Sequence, residues 1–127
     1  MTNETKNYKI TSGKIPATKI RENPEFIAFA DIKPVGERHS IVMPKKHFKT
    51  IIDLDNDTSQ KYFGAIKNAG KILMDKYNKD GFNSVLNNSE SAGQVIQHVH
   101  FHVFPRKKGY NKSRIFIGSI KNGYNKP

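Results

Sequence analysis

Residues 98 to 102 read His98-Val99-His100-Phe101-His102, inside the longer run from Ile96 to Phe104. That alternation has the period of a β-strand, whose successive side chains point to opposite faces. Val99, Phe101 and Val103 would be buried on one face, with three imidazoles in a row on the other. A Gly93-Gln94 turn precedes the run and Pro105-Arg106-Lys107-Lys108 follows it. Three of the chain's five histidines fall here, so this is the stretch where chemistry is expected.

Three accounts compete for the row. One is an ordinary half-exposed strand whose polar face is histidine, which three imidazoles in five positions disfavour. The second is a metal site, since neighbouring histidines on one strand face can jointly bind zinc. Against it, the chain has no cysteine, no carboxylate lies beside the row, and the Asp of a His-x-His-x-Asp-His hydrolase is missing. The third makes one imidazole a nucleophile at phosphorus, with its neighbours positioning it and handling protons. A phosphoryl group needs cationic and N–H donors around it, and this sequence supplies them. The expectation is therefore phosphorus chemistry with no metal and no cofactor.

Charge points the same way. The chain carries 22 Lys and Arg against 11 Asp and Glu. No acidic residue follows Glu90, whereas Arg106, Lys107, Lys108, Lys112, Arg114, Lys121 and Lys126 do. A positive field beside the histidines would attract polyanionic substrates and hold phosphate oxygens. Much of the net charge is compositional, because lysine is abundant throughout; the absence of acids after Glu90 is not. The lysines are scattered, without an aromatic–basic repeat, zinc-finger spacing or RNP-like segment, so dedicated nucleic-acid binding is not expected.

The elements that must position the row are short. Glu25 to Ile32 reads as a strand, ended by Lys33-Pro34 and a Val35-Gly36 turn, and Arg38 to Met43 returns as a second strand stopped by Pro44. Asp57 as N-cap, with Gln60 three residues on, starts a helix closed by Gly81. Its core face is Tyr62, Phe63, Ile66, Ala69, Leu73 and Tyr77. Phe82 to Asn87 is a third strand and the histidine run a fourth; Arg114 to Ile117 is a further short candidate. The interleaving suits an α+β fold, an antiparallel sheet with one long helix and short helical segments. At 127 residues the chain is read as a single domain, 1–127. No apolar run reaches membrane-spanning length and Met1 to Lys6 begin no signal peptide, so a cytoplasmic protein without membrane contact is expected.

The run His98 to Phe104 resembles the signature of the histidine triad (HIT) family of nucleotide hydrolases and transferases. Lys14 to Ala17, Phe29 to Pro34, Arg38 to His47, and Asn87 with Gly93-Gln94 are similar to further segments of that family, in the same order. The resemblance covers roughly residues 10–106, leaving a basic tail over 107–127, and it implies a HIT-like fold and a homodimer. It assigns His100 as the nucleophile at the α-phosphorus and His102 as the histidine beside the phosphate and scissile linkage. His98 and His39 become supporting members that fix ring orientation; on residue type alone, His39 is as readily a surface histidine. Asp31 resembles the acceptor for two ribose hydroxyls, and Ile10, Phe29 and Ile32 resemble walls of a purine slot, although each apolar residue suits a core equally. Asn87 and Gln94, with Gly93 in the turn between them, resemble neutral groups that bond the phosphate. His47 reads as surface. Val95 departs from members with Ser or Thr there, which removes a hydroxyl able to steady a leaving group. The N-terminal third is similar to Hint-like nucleoside phosphoramidases, whereas Ala92 to Gln94 and Pro105 to Lys107 resemble Fhit-like dinucleoside polyphosphate hydrolases. The resulting expectation is purine nucleoside phosphoramidate hydrolysis through a nucleotidyl-histidine. The alternatives are dinucleoside polyphosphate hydrolysis, with distal phosphates along Arg106, Lys107 and Lys108, or a non-catalytic nucleotide- or zinc-binding module.

Overall fold

A computed structural model describes residues 18–30 and 39–109, and its strands pair into one antiparallel sheet. In chain order the elements are β1 (Lys19–Glu22), β2 (Phe26–Ala30), β3 (Ser40–Pro44), α1 (Asn56–Tyr77), β4 (Gly81–Leu86) and β5 (Phe101–Arg106). Single 3-10 turns occupy Ile51–Asp53 and Glu90–Ala92. The spatial order is β1-β2-β3-β5-β4, so the last strand of the sequence is inserted between β3 and β4. That insertion places the histidine-bearing strand inside the sheet, with a neighbour on each side.

β2 and β3 are buried on both faces, which explains their nearly continuous apolar runs. Phe26, Ala28, Val42, Val99 and Val103 pack against Tyr62, Ile66, Ala69 and Leu73 of α1. Ile27, Phe29, Ile41 and Met43 form a second cluster on the opposite face. Ile41 is paired in register with His102, so the imidazole row belongs to the face turned away from the helix.

Several boundaries differ from the sequence reading. β1 was not anticipated: Lys-Ile-Arg-Glu is mostly exposed and has no apolar period, and pairing with β2 alone makes it a strand. The helix is capped by Asp55, whose carboxylate accepts the Thr58 amide at 2.7 Å, and Asp57 lies in the first turn. At the other end Asn78 takes the left-handed conformation that terminates the helix, and Gly81 instead opens β4. Phe63 is 65% exposed because it falls one residue off the stripe formed by Tyr62, Ile66, Ala69 and Leu73. Arg114 to Ile117 lies outside the described residues. No described helix is long and apolar enough to cross a membrane.

At Gly70, α1 sits so close to β4 that an added Cβ would overlap the ring of Phe82. At Gly64, on the same helix, nothing lies within 4 Å of that position. Gly70→Ala should therefore lower stability by about 1–3 kcal/mol through overpacking, and less so in a Phe82→Leu background. Gly64→Ala should raise it by about 0.5–1 kcal/mol through helix propensity. Urea unfolding of the variants checks both signs.

Candidate active site

The alternation that marks the histidine run does not continue as a strand to its start. β5 begins at Phe101 rather than Ile96, residues 96–98 form a bend, and only His102 of the triplet lies in the ladder. The preceding residues bond to the end of β3 and the segment that follows it. The Gln94 side-chain NH2 donates to the Lys49 carbonyl at 2.7 Å, His98 Nε2 to the Pro44 carbonyl at 2.7 Å, and the Val99 backbone amide to the Phe48 carbonyl at 2.7 Å. Two stretches of irregular backbone thus hold each other, and the sheet ladder is not needed upstream of Phe101.

The imidazole face is also not half-exposed. His39, His98, His100 and His102 are all buried, none more than 5% exposed. Buried polar groups must be hydrogen-bonded, and their partners assign the ring protons. His100 Nδ1 lies 2.7 Å from the His98 carbonyl. A carbonyl only accepts, so Nδ1 carries the proton and Nε2 carries the lone pair of the neutral ring. The same logic puts the proton of neutral His98 on Nε2, towards Pro44, with Nδ1 as acceptor. His39, immediately before β3, is delivered to the row by the β3–β5 pairing, and its Nε2 lies 2.9 Å from His102 Nδ1. The His100 and His102 rings meet edge to face, with centroids 4.9 Å apart.

Burial pushes His39 down to about 3 and His102 down to about 2; for each, the neighbouring His100 adds to the effect. Arg106 contributes further at His39, its guanidinium lying over the ring of Phe104, which in turn stacks on His39 at 4.3 Å. Both rings are therefore neutral at physiological pH, as donors and acceptors of hydrogen bonds rather than as fixed charges.

The remaining expected residues separate into distinct positions. Asn87 is buried one residue beyond β4, where the β4–β5 register, continued, places it opposite His100. Gly93 has φ 95° and closes the 3-10 turn by donating its amide to the Glu90 carbonyl. Phe29 is buried in the cluster on the histidine-bearing side of the sheet. Gln94 is buried and has three side-chain bonds to backbone. Its side-chain NH2 bonds the Lys49 and Ile96 carbonyls, and its oxygen accepts the Ser89 amide at 2.7 Å. With these bonds the side chain ties three backbone segments together. Ile10, Asp31 and Ile32 lie outside the described residues. His47 is exposed, as expected, yet its Nδ1 lies 3.3 Å from His98 Nδ1. No sequence spacing announces that contact. Among the described residues, no three or more His, Cys, Asp or Glu are grouped to hold a metal ion.

The HIT domain family model matches residues 12–109. The chain belongs to the HIT family. An uncharacterised HIT-like protein of Methanocaldococcus jannaschii is 38% identical over 114 residues, spanning 90% of this chain and 87% of the relative. An adenosine 5′-monophosphoramidase of Candida albicans is 35% identical over 103 residues, spanning 78% and 68% respectively. The crystal structure of a HIT family member from Bacillus subtilis aligns with a TM-score of 0.75 at 27% identity, covering 94% of this chain and 91% of that one. The α+β architecture of this HIT protein is thus the fold of its family.

Two consequences are measurable. Below pH 6.5 the unfolded chain takes up protons at positions 39 and 102 that the folded HIT protein refuses until about pH 3 and about pH 2, respectively. Stability should be full above pH 6.5 and fall on acidification, by up to about 1.4 kcal/mol per pH unit for each histidine. Unfolding curves at pH 7.5, 6 and 5 test this, and a level stability would contradict neutral burial. Ser89 has φ 76° and ψ 161°, a region suited to glycine, and its carbonyl accepts the Ala92 and Gln94 amides. Relief of strain should make Ser89→Gly more stable by about 1 kcal/mol, after the entropy that glycine adds to the unfolded chain. A shift in the urea midpoint reports it.

Proposed function

We propose that this HIT protein hydrolyses purine nucleoside monophosphates carrying a labile substituent, AMP-amines above all, by double displacement at His100. The observation that carries the reading is the 2.7 Å bond from His100 Nδ1–H to the His98 carbonyl. It holds the ring in the tautomer whose Nε2 lone pair attacks the α-phosphorus. As the Nε2–P bond forms, the P–N bond to the amine breaks, the departing nitrogen takes a proton from solvent, and the imidazole becomes cationic. The bond to the His98 carbonyl then becomes charge-assisted, so it strengthens along the reaction coordinate and lowers the barrier. Water attacks phosphorus in the second step, Nε2 departs with its lone pair and the water proton passes to solvent, so the net products are the nucleoside monophosphate and the amine.

In this reading His102 stands beside the scissile linkage, braced by His39, while His98 supplies the carbonyl and is itself braced by Pro44. Asn87 and the Gly93 region face the phosphate, and Asp31, Ile10, Phe29 and Ile32 take the ribose and base. The phosphoramidase names among the relatives support the substrate class, and an adenylylsulfatase of Arabidopsis thaliana extends it to another substituent on AMP. The reading includes a homodimer, on the family resemblance. The alternative, dinucleoside polyphosphate hydrolysis, would lay distal phosphates along Arg106, Lys107 and Lys108, where Arg106 lies over Phe104 and Lys107 donates to the Asn78 carbonyl at 3.1 Å.

The test is turnover of adenosine 5′-phosphoramidate beside diadenosine polyphosphates, with a rapid quench and mass analysis of the protein. Wild type should prefer the phosphoramidate, accumulate an AMP adduct on His100 and keep its rate in excess EDTA. His100→Ala should lose at least about 10³-fold in kcat and still bind AMP. A near-wild-type rate in His100→Ala, or a rate lost to chelator and restored by zinc, would overturn the reading.

A further inference from the structure

Tyr62 is an unusual core residue for its place on α1. Its ring is buried, stacked on Phe26 with centroids 5.2 Å apart and edge-on to Phe101 at 5.4 Å. Its hydroxyl does not stop at the helix–sheet boundary. It donates to the Val42 carbonyl at 2.6 Å and accepts the Phe101 amide at 3.2 Å. Val42 and Phe101 are the last register pair of β3 and β5, and upstream of it the chain leaves β3. The next donor back along the chain whose partner is defined, the Val99 amide, bonds Phe48 in the loop after β3. A phenol hydroxyl from the helix therefore bridges the two strands where they diverge, one residue after His100 and three after the carbonyl that His100 depends on.

We propose that Tyr62 is a positioning residue for His100, its hydroxyl fixing the point at which the chain leaves the sheet and hence how the His100 ring meets the His98 carbonyl. This rests on the reading of His100 as nucleophile. The argument is geometric. The peptide that carries the His98 carbonyl is held directly, through its own N–H on the Phe48 carbonyl. His100 follows outside any regular element, between that fixed point and Phe101, whose amide the Tyr62 hydroxyl engages. Burial also pushes the phenol well above its ordinary range, so the bridge stays neutral and intact across the working pH. Removing the hydroxyl lets the Phe101 amide turn directly to the Val42 carbonyl. That shortens the gap between the strands and rotates the peptides at 99 and 100.

Tyr62→Phe tests the proposal with two readouts that a merely structural role would not move together. In ligand-free protein labelled with 15N-histidine, wild-type His100 should give the widely separated ring-nitrogen signals of one tautomer, and in Tyr62→Phe those signals should converge. With adenosine 5′-phosphoramidate, kcat should fall about tenfold while KM stays within about twofold, the pattern of misorientation rather than lost binding. If Tyr62→Phe does not fold, replacement of Tyr62 by meta-fluorotyrosine keeps the shape and weakens the hydroxyl as an acceptor; the same two changes should then appear in smaller degree. A folded variant with an unchanged His100 spectrum, or a rate loss carried by KM, overturns the proposal. The two readings fail separately. An inert wild type or an active His100→Ala ends the nucleophile reading, while the tautomer measurement still decides whether Tyr62 orients the ring.

Discussion

The bond from His100 Nδ1–H to the His98 carbonyl constrains most of what surrounds it. It spans a segment that runs beside the sheet and joins it at Phe101. The backbone groups of that segment must still be satisfied, because they are buried. The Phe48 carbonyl in the loop after β3 takes the Val99 amide, while the Pro44 carbonyl at the end of β3 and the Lys49 carbonyl in the loop take the His98 and Gln94 side-chain donors.

The same arrangement sets the electrostatics. Inserting β5 between β3 and β4 removes His39 and His102 from water, and burial keeps both rings neutral. A nucleophile at phosphorus works beside an anionic substrate, and neutral neighbours leave the field there to groups that bind phosphate. Neutral rings can also pass protons between partners along the His39–His102 contact, which permanently charged ones cannot. The cost is stability at low pH, where an unfolded chain takes up the protons that the buried rings refuse.

The loop from Ser89 to Gln94 shows how local energy is traded for placement. Gln94 engages both ends of the loop through the Ser89 amide and the Ile96 carbonyl, while Ser89 adopts a backbone conformation that serine disfavours. Such strain persists only where surrounding contacts over-determine it. Here the contacts are those that fix Gly93 and the approach to His98. The helix side contributes a corresponding fixed point, since α1 is closely seated on β4 at Gly70 and reaches the strand junction through Tyr62.

The amino-acid sequence by itself determined the family and the class of the fold. Alternation around His98, His100 and His102, the apolar runs of β2 and β3, and the stripe Tyr62, Ile66, Ala69 and Leu73 are local patterns, each readable because side-chain direction follows backbone period. What escaped was whatever depends on contacts between distant segments. β1 is a strand only because β2 pairs with it, Gln94 is a tether only because Lys49 comes alongside, and His47 meets His98 across 51 positions. Phe63 matched the helical period and still faces solvent, since the period gives the angle between residues but not which angle meets the sheet. The start of β5 was misplaced for a related reason. Alternation reports the two faces of an extended chain, but whether its amides bond a neighbouring strand or a loop is decided by what packs beside them. Only the tertiary structure decided that, by placing the Phe48 carbonyl at Val99 and the Tyr62 hydroxyl at Phe101.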